Sequence, residues 1–158
     1  MRDTTPYRQI DVPVDPYVVP GDPSSGLLYG ISPEPFGSPG DGDLHLQSYS
    51  YRLPLTDDPA NRVQFIKPER YDPSMYELHR RFLLAGGEHY TPRKRLPGDK
   101  TDLIGSESAL STDLLGMNDE WPTGNQEKRD EILREARRFT MGLMWFFAND
   151  DAVPVRTS

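Results

Sequence analysis

The chain has 158 residues, enough for one domain of ordinary size. Its formal net charge of −7 argues against non-specific nucleic-acid binding, which needs an excess of Lys and Arg. It contains no cysteine, which excludes disulfides, thiol nucleophiles and cysteine-ligated zinc or iron–sulfur centres within the chain.

Apolar residues make up 35%, against about 45–50% (glycine included) in typical globular domains, and the mean hydropathy is −0.71. Sixteen prolines and thirteen glycines put much of the backbone in turns and extended loops. Aromatic residues at 10% supply enough burial per residue to expect an ordered fold rather than disorder. The most apolar stretch, MGLMWFFA at 141–148, is far shorter than the ~20 residues needed to span a bilayer. No cationic start precedes a long apolar run, so no signal peptide is expected. These features predict a soluble, cytoplasmic protein with no membrane and no nucleic-acid partner.

Prolines 6, 13, 16, 20 and 23 forbid a persistent helix at the N-terminus and predict an extended path. Residues 32–43, SPEPFGSPGDGD, read as a loop. Gly40-Asp41-Gly42-Asp43 lacks the EF-hand spacing and reads as a turn rather than a calcium loop. LHLQSYSYRLPL, 44–55, is the best strand. Alternation would place His45, Gln47, Tyr49, Tyr51, Leu53 and Leu55 on one face. Either that strand lines a polar cavity or it carries its tyrosine hydroxyls in water. The next section, TDDPANR, reads as a turn with Asp58 as a capping acceptor.

Asp72 as N-cap with Pro73 at the first helical position begins a helix expected over 73–85, closed by Gly86-Gly87. His79 lies on its apolar face and reads as a packed core residue. The pairs Arg80-Arg81 and Arg93-Lys94-Arg95 read as solvated charge. Residues 88–124 are expected to be mostly irregular, with short turns around Ser106 to Leu115. Thr123-Gly-Asn-Gln126 suits a capping box for a second helix over about 124–149. Its apolar stripe widens past Met141 until the helix is apolar nearly all round. A loop-rich chain of this size is expected to have too little surface to bury that end. The fold class is α+β, with a few strands, two main helices and long Pro/Gly-rich loops.

General motifs yield no active site: no Gly-x-Ser-x-Gly elbow and no paired histidines at helical metal spacing are present. Longer segments say more. PVDPYVVPGDPSSGLLYGI, GDGDLHLQSYSYRLPLTDDPANRVQFIKPERYDPSMYELHRRFL, STDLLGMN and GLMWFFANDDAVP follow one another between Pro13 and Pro154, within a stretch of roughly residues 11–154. In this order they resemble the FAD-dependent oxidoreductases of the large bacterial flavoprotein group. The residues that carry the resemblance include Gln47, Tyr49, Tyr51, Arg52, Thr56, Asp58, Pro59, Asn61, Arg62, Lys67, Pro68, Tyr71, Asp72, Pro73, Tyr76 and Glu77.

The resemblance implies the middle, substrate-side portion of a flavoenzyme that transfers hydride between an organic substrate and FAD. It implies substrate-side roles for Gln47, Tyr49 and Arg52, and for Lys100 and Asp102 of the KTD triplet. Arg52 has the alternative of a structural ion pair with a nearby Asp, and Tyr49 that of simple packing. Two departures are visible. Pro54 stands where the family often has Cys, and Leu103-Ile104-Gly105-Ser106-Glu107 replaces an asparagine-rich stretch. No glycine-rich loop follows a strand, so no residue of this chain is expected to hold the FAD pyrophosphate. The implied partner is a separately encoded flavin-binding half, and the chain alone is expected to be inactive. The alternative is a non-catalytic interaction module or remnant of a split flavoprotein gene, self-associating through the apolar helix end 141–148.

Overall fold

The computed structural model describes residues 9–42, 44–89, 95–103 and 108–154, without the side chain of Arg95. The fold is α+β. In chain order it comprises β1 (Leu53–Thr56), a 3₁₀ turn (Pro73–Tyr76), α1 (Glu77–Leu84), β2 (Arg95–Leu96), β3 (Lys100–Leu103) and α2 (Gln126–Asn149). A further 3₁₀ turn occupies Pro23–Ser25. The strands form one antiparallel sheet in the order β1-β3-β2. Leu53 pairs with Leu103, Pro54 with Asp102, Leu55 with Thr101 and Thr56 with Lys100. β1 is an edge strand, the position where Pro54 can sit without breaking a ladder on both sides.

The first helix forms where its punctuation places it. The Asp72 carboxylate accepts a 2.9 Å hydrogen bond from the Ser74 N–H, and Pro73 opens the turn. The chain enters as 3₁₀ and relaxes to α at Glu77. At the other end Gly86 takes φ +93°, with Gly86 N–H on the Leu83 carbonyl and Gly87 N–H on that of Phe82. This is a Schellman closure. Gly87 is required for another reason, because a Cβ there would lie 2.5 Å from the Phe82 ring.

The second helix starts at Gln126, and its cap is Asn125 rather than the expected Thr123. The Asn125 side chain accepts from the Lys128 N–H at 2.9 Å. Its apolar end does not lack cover. Gly142, Leu143, Met144 and Phe146 are buried, and only Ala148 of 141–148 is exposed to any large degree. α2 packs on the Pro73–Tyr76 turn, and Tyr76 is the reason that contact is close. The Tyr76 ring stacks on Tyr71, Phe139 and Phe146 at centroid distances of 5.4, 5.7 and 6.0 Å. Its hydroxyl donates to the Phe139 carbonyl at 3.1 Å. Gly142 makes room for it: a Cβ there would lie 2.0 Å from the tyrosine oxygen. The apolar patch expected on the surface is therefore the centre of the core, with Leu83, Leu103 and Leu114 around it.

The expected strand over 44–55 forms only at its end. Residues 44–52 are extended but have no backbone ladder. Their alternation also slips by one position. Leu46 and Ser48 turn inward while Gln47 and Tyr49 are exposed, and then Tyr51, Leu53 and Leu55 turn inward while Arg52 and Pro54 are exposed. The single face predicted from Gln47 to Leu55 is thus split between two directions.

From residue 9 to Asp22 the N-terminal arm has no helix, as its prolines demand, while Pro6 lies outside the described residues. The arm folds back through the isolated bridge between Tyr17 and Leu27. Arg81, expected to be solvated, fastens this arm. Its side chain is only 16% exposed, and it donates to the carbonyls of Asp15, Tyr17 and Val18 and to the Glu77 carboxylate. The Arg93-Lys94-Arg95 cluster lies outside the described side chains. No helix among the described residues is long and apolar enough to cross a membrane.

Candidate functional site

Antiparallel neighbours share a face, so the register sorts the sheet residues into two sets. Leu53, Leu55 and Leu103 point toward the core. Arg52, Asp102 and Lys100 belong to the outward face, beside Pro54 and Thr56. Three of the five candidate substrate residues are therefore gathered on one outward surface. The Arg52 guanidinium pairs with the Asp102 carboxylate through Nη2, and through Nε at 3.1 Å. Hydrogen bonding and the charge of Asp102 raise the arginine's pKa further above its ordinary value. The arginine side chain is 71% exposed and the aspartate 17%. Thr56 Oγ1 donates to the Asp99 carbonyl at 2.8 Å, which ties β1 to the Pro97–Asp99 turn before β3.

Gln47 and Tyr49, the other two, sit on the extended chain leading into β1. Tyr49 is exposed and meets the edge of Trp121 at 6.3 Å. Their position is set by a residue not singled out in the sequence. Asn118, 1% exposed, donates from Nδ2 to the Gln47 carbonyl and accepts from the Tyr49 N–H, both at 3.1 Å. Its carboxamide replaces the missing strand partner. Asp119 continues the pattern, accepting from the Leu46 N–H at 2.9 Å.

Asp119 also holds His45, whose Nδ1 meets its second oxygen while Nε2 lies 3.1 Å from Glu34. Hydrogen bonds to Asp119 and Glu34 raise the His45 pKa above its ordinary value, and the charges of both carboxylates add to this. For Asp119, burial pushes the pKa up, but the bonds from His45 and the Leu46 N–H outweigh it and the result is a lowered value. The imidazole is thus a bridge between two carboxylates, fastening the 34–46 loop to the turn before α2.

Two cavities lie against the core, the first of them behind the inner face of the sheet. One of about 250 Å³ is lined by Leu55, Phe65, Leu103, Met144 and Phe147, with His89 among them. His89 stacks on Phe147 at 4.9 Å. Thr112 also lines it, and its Oγ1 is buried with no hydrogen-bond partner among the described residues. The second, of about 220 Å³, is lined by Tyr29, Met75, Leu78, His79 and Phe139 together with polar residues of the 108–113 segment. None of the five sequence-derived candidates lines either cavity.

Among the described residues, the start of α2 does not fit the FAD pyrophosphate. That group needs free backbone N–H groups at a helix N-terminus reached through a glycine loop. At α2 the Lys128 N–H is taken by Asn125, Glu127 follows in the first turn, and a Cβ on Gly124 would lie 2.8 Å from the Glu120 carbonyl. That end is packed. No group of three or more His, Cys, Asp or Glu side chains suited to a metal ion occurs among the described residues. Asp41, in the glycine-aspartate loop, closes a turn by accepting from the Ser38 N–H at 2.9 Å; Asp43 lies outside the described residues. Asp58 likewise accepts from the Ala60 N–H, as expected of a turn residue.

Compared with protein-family models, curated proteins and solved structures, the chain matches none.

Proposed function

We propose that this chain is the substrate-side segment of an FAD-dependent oxidoreductase, with the flavin held by another segment or chain. In such an enzyme the cofactor supplies the hydride chemistry and the protein positions the substrate. The outward face that bears Arg52, Asp102 and Lys100 is the surface turned toward substrate, with Tyr49 and Gln47 on the approach to it. Support comes from the run of family-like residues between Gln47 and Glu77. The observation that carries the reading is that Arg52, Asp102 and Lys100 share one solvent-facing sheet surface instead of being consumed in the core.

The first measurement is the visible spectrum of the purified chain after incubation with FAD and desalting. A colourless protein is expected, and a retained flavin band would overturn the assignment of the cofactor to another segment. The second is a titration of ¹⁵N-labelled protein with riboflavin, an uncharged flavin. Amide shifts concentrated at Tyr49, Arg52 and Lys100 are expected. Shifts confined to other surfaces, or none at all, would sink the substrate-facing role of this sheet face.

A further inference from the structure

We propose that the cavity lined by His79 is a binding site for a small uncharged aromatic alcohol, with the imidazole as its hydrogen-bonding anchor. The proposal does not depend on the flavoprotein reading, because it concerns the inner side of the molecule and residues that reading does not use.

His79 is 7% exposed, yet it is one of the residues lining a cavity of about 220 Å³. Its ring centroid lies 6.1–6.4 Å from those of Phe139, Phe146 and Phe147, and its nitrogens are not among the buried polar atoms sealed off without a partner, a description that fits Thr112 Oγ1. A neutral imidazole carries one donor and one acceptor. A ligand that shuts such groups off from water without replacing the bond pays their desolvation, and one that supplies the bond avoids that cost.

Size and charge narrow the occupant. An apolar cavity of about 150 Å³ admits benzene, so this one has room for a single ring with a short substituent. Met75, Leu78, Leu114 and Phe139 give the ring apolar walls. Burial holds the His79 pKa down at about 4, with the nearby His89 adding to the effect, so the group offers no positive charge at neutral pH. Asp113 stands on the same wall and disfavours an anion. A hydroxyl group, which both donates and accepts, is the substituent that a neutral imidazole pairs with best.

The test uses phenol and toluene, which differ in the hydroxyl, as probes of the full chain carrying ¹⁵N-labelled histidine. Phenol is expected to shift the His79 ring nitrogens saturably and to bind about five- to tenfold more tightly than toluene, the range one net hydrogen bond provides. In His79→Phe that preference should disappear while toluene still binds. Equal affinities in the wild-type chain would overturn the proposal even if the variant failed to fold. So would phenol shifts centred on His89, which would place the ligand in the neighbouring cavity, and so would the absence of saturable binding by either probe.

Discussion

Residues 15–18 and 46–49 are both extended, neither belongs to the sheet, and they are fastened in different ways. The N-terminal segment presents carbonyls, and one guanidinium from α1 meets three of them, at Asp15, Tyr17 and Val18. The second presents N–H groups at Leu46 and Tyr49 and a carbonyl at Gln47. Two adjacent side chains, Asn118 and Asp119, answer these in kind. A backbone without a ladder still has to place its polar groups. Which side chain does so follows from whether donors or acceptors are left over. Arginine suits a row of carbonyls because it only donates, and asparagine suits a mixed stretch because it does both.

The largest expected effect is in the core, away from both anchors. His79 is neutral in the fold with its pKa at about 4, against about 6.5 when unfolded. Stability is therefore lost as pH falls from about 6.5 toward about 4, by about 3 kcal/mol from this group. Denaturant titrations at pH 7 and pH 4 should show this loss, and His79→Phe should lose less over the same interval. Equal losses would show that the histidine is not buried as described.

Asn118→Ala should cost about 2 kcal/mol, since it strips the partners from two backbone groups while leaving a small void. Hydrogen exchange should accelerate at Tyr49 and leave the amides near Tyr17 unaffected. Arg81→Met should cost slightly less, about 1–2 kcal/mol, because solvent can reach some of the carbonyls it abandons. Here the reverse pattern is expected: the arm around residues 15–28 loosens and the Tyr49 amide stays protected. If both variants released both segments, the two anchors would be one cooperative unit.

The smallest effect is a matter of pH. The folded His45 pKa is raised, so its bridge between Asp119 and Glu34 contributes fully below the unfolded value of about 6.5. That contribution is lost as pH rises through the folded value. Exchange at Leu46, corrected for intrinsic rates, should quicken over that interval. The arm held by Arg81 should not respond, because a guanidinium stays charged throughout. A response of both segments would count against the His45 bridge as the cause.

Sequence reading succeeded where the deciding residues are neighbours. Asp72-Pro73 and Gly86-Gly87 start and stop the first helix through bonds that span a few residues, so they can be read in one pass. It failed by two residues at the second helix, where Thr123 and Asn125 both have capping chemistry and the backbone at Asn125 took the role. For Arg52 the structural alternative weighed in the sequence, an ion pair with a nearby Asp, is the contact that forms, and its partner is Asp102. Asn118, which sets Gln47 and Tyr49, entered the sequence reading only as the end of STDLLGMN and with no role of its own, because an asparagine in an irregular stretch looks like any turn residue.

What the sequence by itself determined was the α+β class, the loop-rich character, the two helices and the burial of His79. Each follows from composition, 3.6-residue periodicity or local capping. Tertiary structure alone decided the rest. Arg81 reaches carbonyls 63 to 66 residues away, and Asn118 and Asp119 reach backbone groups 69 to 73 residues away. The same holds for the cover over the apolar end of α2, where Tyr76 meets Gly142 across the core. An apolar helix face states that it needs a partner, but which residues arrive to cover it depends on how distant segments pack.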